Sequence, residues 1–214
     1  ADAPSLLSVE EAKTFAHEFG HSLATLLSDG AFRGRTVPRD AVELPSQIME
    51  NWMLEPELLS VYAKHYQTGA VIPDELVRKL ENSRLFNQGF ETVEYLAASI
   101  LDMTWHEMTQ PQPGLDVRVF ETRAMTGIGL IPEITPRYRS TYFNHIFNGG
   151  YSAGYYVYIW AEQLDADAFE AFKEKGLFDR ATALSFRKNV PQYVAFRGAE
   201  PKIEPLLKRR GLMK

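Results

Sequence analysis

His17 and His21 bracket Glu18 in the run His17-Glu18-Phe19-Gly20-His21, a HExxH pattern. On a helix that spacing sets two imidazoles one turn apart on one face with a carboxylate beside them, which is two-thirds of a zinc site together with a general base. The pattern alone also arises on a polar helix face with two incidental histidines, so its surroundings decide. A catalytic zinc needs a third protein ligand. Ala24 and Leu27 stand where a metzincin carries its glycine and third histidine, which excludes that class. What remains is a glutamate from a second helix. Glu43, 22 residues after His21, leaves room for a turn and a return to the metal. Its alternative reading is a carboxylate near a helix N-terminus, favoured there by the macrodipole. Asp40 and Glu50 are the acids expected to orient the ligands, Glu50 because it lies on the same helix face as Glu43. Their alternatives are helix capping for Asp40 and solvent for Glu50.

The elements that must hold these residues are helices. From Ser8 to Asp29 the apolar Phe15, Phe19, Leu23, Leu26 and Leu27 recur close to helical period, which gives one amphipathic helix. Ser8 with Glu11 forms a capping box, and Gly30 stops the helix. Pro45 suits the first turn of the Glu43 helix, where its missing N–H costs nothing. Further helices are expected at Pro56 to Gln67, Asp74 to Ser83, Thr92 to Glu107, Asp116 to Thr126, Ser152 to Lys175, Ala181 to Lys188 and Glu200 to Arg209. The joints carry Gly69, Pro73, Pro111 to Gly114, Pro132 and Pro136. No segment alternates like a half-buried strand over any length, although Gly127 to Pro136 could run as a short extended piece. The expected fold is all-α, a multi-helix zincin-like catalytic domain built on the HExxH helix and the Glu43 helix, with at most one short β ladder. One domain over residues 1–214 is the default.

Tyr151, Tyr155 and Tyr158 fall at i, i+4 and i+7, one face of a helix, and such a stripe is more often core packing than a substrate wall. The Asn148-Gly149-Gly150 break before them marks a flexible loop or a close backbone approach, and such a loop could close over a peptide. His145, with hydrophobic neighbours, reads on its own as a satisfied buried histidine. His65 before Gly69, and His106 at the end of its helix, read as cations near helix C-termini or as surface residues, and neither is assigned to the metal.

Of 214 residues, 45% are hydrophobic, 12% aromatic and 24% charged, which is ordinary for a globular domain able to bury a core. No apolar run approaches the roughly 18–20 residues needed to span a bilayer, so no membrane partner is expected. The opening Ala1-Asp2-Ala3-Pro4 does not resemble a signal peptide and lacks a methionine, as in a processed or cut chain. Cysteine is absent, which is compatible with a reducing bacterial cytoplasm. A net charge of −5 argues against a nucleic-acid partner. The basic cluster Lys208-Arg209-Arg210 reads as favourable charge at a helix C-terminus before Gly211.

Three blocks in order carry a family resemblance: His17 to His21, Val42 to Trp52, and His145 to Trp160. Phe86 to Phe90, Glu94 to Ala98, Phe196 to Gly198 and Arg210 to Leu212 add to it. Over nearly its whole length the chain resembles the thimet oligopeptidase, oligopeptidase A and bacterial peptidyl-dipeptidase family of zinc peptidases. The resemblance implies one Zn2+ per chain held by His17, His21 and Glu43. It implies Glu18 as the general base that takes a proton from zinc-activated water and passes it to the leaving amine. It makes His145, Tyr151 and Tyr158 residues that contact the substrate and stabilise the tetrahedral intermediate, with Gly149, Gly150 and Tyr155 at the substrate wall. Family members are several times longer, and a large helical N-terminal region builds one wall of their substrate channel; the resemblance implies that these 214 residues would have to act without that wall. The link from His21 to Glu43 is shorter than usual, Ala24 replaces a histidine often found there, and the segment around Val190 to Tyr193 lacks a longer glycine-containing loop.

Two functions follow. One is a zinc metallopeptidase hydrolysing short peptides, of oligopeptidase or peptidyl-dipeptidase type. The other is a zinc-binding fragment of such a peptidase, inactive alone, whose apolar face is covered by a missing N-terminal region or by self-association as a homo-oligomer. Release of dipeptides requires a group that captures the C-terminal carboxylate, and Arg33, Arg35, Arg137 and Arg139 are equal candidates by sequence.

Overall fold

Ser8 accepts the Glu11 N–H on its hydroxyl at 3.2 Å while the Glu11 carboxylate takes the Ser8 N–H at 2.7 Å, and this reciprocal cap starts the first helix. A computed structural model of the chain describes residues 4–27, 37–110, 112–190 and 192–213. In chain order the helices are α1 (Val9–Leu26), α2 (Leu44–Trp52), α3 (Pro56–Tyr62), α4 (Asp74–Ser83), α5 (Gln88–His106), α6 (Val117–Gly127), α7 (Asn144–Phe147), α8 (Val157–Lys175), α9 (Arg180–Asn189), α10 (Tyr193–Arg197) and α11 (Glu204–Arg209). One-turn 3-10 helices occupy Arg39–Ala41 and Ser140–Tyr142. The fold is all-α, and among the described residues strand-like pairing is limited to one antiparallel bridge between Lys64 and Val71. Among them, too, no helix is long and apolar enough to cross a membrane. The expected stop at Gly30 lies outside the described residues.

The chain divides into two compact units, residues 1–86 with 160–214 and residues 87–159. In the first unit α1 packs on α2 through its small residues: Ala12, Ala16 and Gly20 are buried. The large apolar residues expected to face the core do not. Phe15 is 65% and Phe19 46% exposed, their rings stacked with centroids 6.1 Å apart, and Leu26 and Leu27 are exposed as well. The reason is distance between backbones. A Cβ on Gly20 would meet the Pro45 carbonyl oxygen and would stand 2.7 Å from Ser46 Cα, so α2 comes closer to α1 than a large side chain allows. Further along α2, Ile48 packs with Ala168, Phe169 and Phe172 of α8. Trp52 meets Phe169 and Phe172 edge-on at 4.7 and 4.8 Å and donates its indole N–H to the Leu177 carbonyl at 3.0 Å.

Two buried aspartates of α8 tie down the C-terminal helices. Asp165 accepts from Asn51 Nδ2 at 2.9 Å and pairs with Arg209, which also donates to Asn51 Oδ1 at 2.9 Å and to the Glu162 carbonyl at 3.0 Å. Asp167 accepts the Tyr193 hydroxyl at 2.6 Å and pairs with Arg197 at 3.4 Å. The basic cluster read as helix-end charge is therefore more than that, since Arg209 and Arg210 are paired with Asp165 and Glu162.

Helix α3 ends at Tyr62, five residues before the expected Gln67. The chain turns back there through Gly69, at φ +69°, and the His65 N–H donates to the Ala70 carbonyl at 2.8 Å. That turn holds the single bridge. The Gly127 to Pro136 stretch, which by sequence could run as a short extended piece, is folded into turns, with Leu130 N–H on the Met125 carbonyl at 3.0 Å and Ile134 N–H on the Ile131 carbonyl at 3.1 Å.

In the second unit, Ala97, Ala98 and Leu101 of α5 pack with Met125 of α6, Phe143, Ile146 of α7 and Tyr155. Buried Glu121 on α6 accepts both the N–H and the hydroxyl of Ser140, at 2.7 and 2.9 Å. It thereby fixes the segment that leads into α7.

Candidate functional site

Glu43 is the N-cap residue of α2 and is 1% exposed. The close approach of α1 to α2 turns its carboxylate onto the HExxH helix. One oxygen, Oε2, lies 3.2 Å from His17 Nε2 and 3.1 Å from His21 Nε2, and the three donor atoms all fall within 4.8 Å of one another. Tetrahedral zinc with bonds of about 2.0–2.1 Å holds neighbouring ligand atoms about 3.3 Å apart, so two imidazoles and one carboxylate at these separations fit the ion. Ser46 donates its hydroxyl to the same Glu43 oxygen at 2.9 Å and fixes the carboxylate's rotamer.

Behind His17 stands Glu50, its Oε1 2.7 Å from Nδ1. That bond orients the ring and directs Nε2 toward Glu43, the arrangement in which carboxylates support metal-binding histidines. Burial by itself lowers the His17 pKa, but the hydrogen bonds and charges of Glu43 and Glu50 outweigh it and push the group up to about 9. Lys13 lies 3.9 Å from the other Glu50 oxygen. Of the two acids expected to orient ligands, Glu50 reaches one; Asp40 is exposed on the Arg39–Ala41 turn. The Glu18 side chain is exposed, one residue along α1 from His17. His65 and His106 take no part in the metal cluster.

The remaining expected site residues gather within the second unit. His145 on α7 has its ring centroid 4.6 Å from Tyr138, 5.6 Å from Tyr155, 6.2 Å from Tyr158 and 6.3 Å from Tyr151. Tyr151 and Tyr158 stack at 5.2 Å. They converge, though not as a helix face, because α8 begins only at Val157 and Tyr151 and Tyr155 lie in the turn before it. Tyr155, expected at the substrate wall, is 2% exposed and belongs to the core, and burial raises its hydroxyl pKa. The two glycines serve the backbone. A Cβ on Gly149 would stand 2.9 Å from His145 Cα, and Gly150 has φ +82°. The break is thus a close approach rather than a slack loop.

Asp102 holds this turn, and sequence reasoning missed it. Its carboxylate is 0% exposed and accepts the Ala153 N–H at 3.0 Å and the Tyr155 N–H at 2.8 Å, while His106 Nδ1 lies 2.8 Å away. Ala153 sits at φ +50°, a left-handed conformation disfavoured for alanine that these bonds hold in place. The spacing of Asp102 and His106 at i and i+4 on one helix was the available signal. His106 is therefore a partner of a buried carboxylate rather than only a helix-end cation.

The model of peptidase family M3 matches residues 1–191 of the chain. The chain is similar to the dipeptidyl carboxypeptidase of Escherichia coli (strain K12), at 43% identity over 99% of the chain and 33% of that protein. It is similar to the oligopeptidase A of the same strain at 36% identity, over 98% of the chain and 33% of that protein. Saccharolysin of Saccharomyces cerevisiae (strain ATCC 204508 / S288c) is 32% identical over 99% of the chain and 32% of its own length. The chain thus spans about a third of the length of these relatives.

Proposed function

The chain belongs to peptidase family M3, and from that membership we propose that it is a zinc metallopeptidase hydrolysing short peptides, of oligopeptidase or peptidyl-dipeptidase type. The observation that carries the proposal is the meeting of His17, His21 and Glu43 around one carboxylate oxygen, with Glu50 behind His17. Those three side chains would hold one zinc ion. When bound, zinc polarises the scissile carbonyl and lowers the pKa of the attacking water. Glu18, exposed and adjacent to His17, takes the proton from that water and delivers it to the leaving amine nitrogen. Glu50 keeps the His17 ring in one orientation throughout.

His145, Tyr151 and Tyr158 donate to the substrate and to the negative charge that grows on its carbonyl oxygen. Each such donor is worth roughly 2.7–4 kcal/mol in comparable oxyanion sites. Gly149 and Gly150 keep the backbone before them free of side chains, and buried Tyr155 supports the aromatic group from beneath. The cysteine-free sequence and the bacterial relatives fit a bacterial cytoplasm as the place of action.

The test is zinc content and hydrolysis of a quenched fluorescent peptide, with and without chelator, for the chain beside its Glu18→Ala variant. One zinc per chain in both proteins, with turnover lowered by about 10²–10⁴-fold in the variant, is the expected result. Zinc bound with no hydrolysis by the parent chain would identify a zinc-binding fragment instead.

A further inference from the structure

Ala166, Phe169, Glu170 and Lys173 stand at i, i+3, i+4 and i+7 along α8, one face of that helix. The face floors a cleft of about 360 Å3, walled by the turn between α2 and α3, by the end of α4 and by α11. Every residue that lines it belongs to the first unit. Leu85, at the end of α4, packs on the turn after α11: a Cβ on Gly211 would stand 3.0 Å from its Cδ2. The volume falls at the small end of the roughly 300–1,000 Å3 typical of ligand pockets.

The charges around this cleft fall into two sets. Arg209 is matched by buried Asp165, and Lys173 by Glu170 at 3.4 Å. Arg84, Lys208, Glu55 and Glu81 are not: among the described residues none of their side chains makes a hydrogen bond or an ion pair. Burial lowers the Arg84 pKa, and the neighbouring Arg209 lowers it further, against the opposite pull of Glu55 and Glu81. Burial likewise raises the Glu55 pKa, against Lys173 and Arg84. Each group has given up hydration without gaining a partner, a cost that a ligand group of opposite charge offsets. A simple anion would satisfy Arg84 and leave Glu55 unmatched, and a simple cation would do the reverse. Two unmatched cations with two unmatched anions suit a ligand that carries both charges, lying over the apolar floor of Ala166 and Phe169.

We propose that this cleft binds a zwitterion of dipeptide size, with Arg84 taking its free carboxylate and Glu55 its free ammonium. The guanidinium offers a carboxylate two parallel donors, and a carboxylate accepts readily from an ammonium. Peptide hydrolysis releases molecules of this kind. The ligand's origin as a product therefore rests on the peptidase reading, whereas its binding does not. The cleft is distinct from the metal cluster, since none of its lining residues is His17, His21 or Glu43.

The experiment titrates alanylalanine, its N-acetyl form and its C-terminal amide calorimetrically into the parent chain, Arg84→Gln, Arg84→Lys and Glu55→Gln, each with chelator present. The parent should bind the zwitterion saturably, with a Kd of about 1 mM or tighter. It should favour the zwitterion at least about tenfold over either blocked form. Arg84→Gln should weaken the zwitterion at least about tenfold while changing the amide less than about threefold, and Arg84→Lys should keep part of the affinity. Glu55→Gln should do the same with respect to the N-acetyl form. Thermal unfolding of each variant checks that the chain still folds. No saturable binding by the parent, or equal binding of the blocked forms, overturns the inference. So does a zwitterion held equally by the parent, Arg84→Gln and Glu55→Gln, which would place it at another site. A zinc-treated parent that hydrolyses no quenched peptide yet gives the expected titrations overturns the peptidase reading and upholds the cleft.

Discussion

Glu43 presents one buried oxygen to two imidazoles at 3.2 and 3.1 Å, so in the metal-free chain a proton must lie among these three groups. That proton has a pH signature. The His17 pKa is raised from its ordinary 6.5 to about 9. A raised folded pKa gives stability that is fully present below 6.5 and lost as the pH climbs through 9. Zinc requires the neutral ring and competes with the same proton. Zinc affinity, titrated against a competing chelator, should therefore rise about tenfold per pH unit between about 6.5 and 9 and flatten above. A pH-independent affinity over that window would place the ion elsewhere. Much of this chemistry was legible in the residues themselves. HExxH spacing brings out His17 and His21, the need for a third ligand leads to Glu43, and helical register leads to Glu50, and these four side chains do meet. Asp102 was not legible, because a carboxylate that gathers backbone N–H groups from a distant turn leaves no motif in the chain.

At the scale of elements, His17, His21 and Glu43 meet because α1 and α2 approach until Gly20 faces the Pro45 and Ser46 backbone. Backbone atoms cannot swing aside as side chains can. Gly20→Ala should therefore destabilise the chain by about 1–3 kcal/mol in urea unfolding and weaken zinc binding by at least about tenfold as Glu43 is pushed away. An unchanged zinc affinity in that variant would show that the helix contact does not set the ligand geometry. Periodicity located α1 but not its buried side. It weighs apolarity, which pointed to Phe15 and Phe19, whereas close packing selected the small stripe Ala12, Ala16 and Gly20. Boundaries followed local chemistry where that chemistry was strong. Helix α4 occupies the expected Asp74–Ser83, and Asp116 caps α6 by accepting the Arg118 and Val119 N–H groups. They slipped where the backbone takes a left-handed residue, as at Ala153 ahead of α8, since an alanine there gives no warning.

For the whole molecule, the division into two units carries no mark in composition, and α8 contributes residues to both. The first unit joins segments far apart in sequence, residues 1–86 and 160–214, and Asn51 bridges them by donating to Asp165 and accepting from Arg209, a link that composition cannot foretell. Arg209 and Asp165 are themselves an ion pair within the second of these segments, with the Asp165 carboxylate buried. Arg209→Ala should destabilise the chain by about 3–5 kcal/mol, because a buried carboxylate is left without its counter-charge. Joint replacement by Arg209→Met and Asp165→Leu should cost less than Arg209→Ala alone, and equal losses would mean that the pair contributes only by packing. The account as a whole depends on the proposal that His17 and His21 of α1 and Glu43 at the start of α2 hold one zinc ion. Its most direct measurement is metal content after dialysis, with X-ray absorption at the zinc edge, for the parent chain and Glu43→Gln. One zinc per parent chain with two imidazole ligands, and at least a tenfold loss of affinity in Glu43→Gln, is the expected result. No zinc in the parent, or an unchanged site in Glu43→Gln, would contradict it.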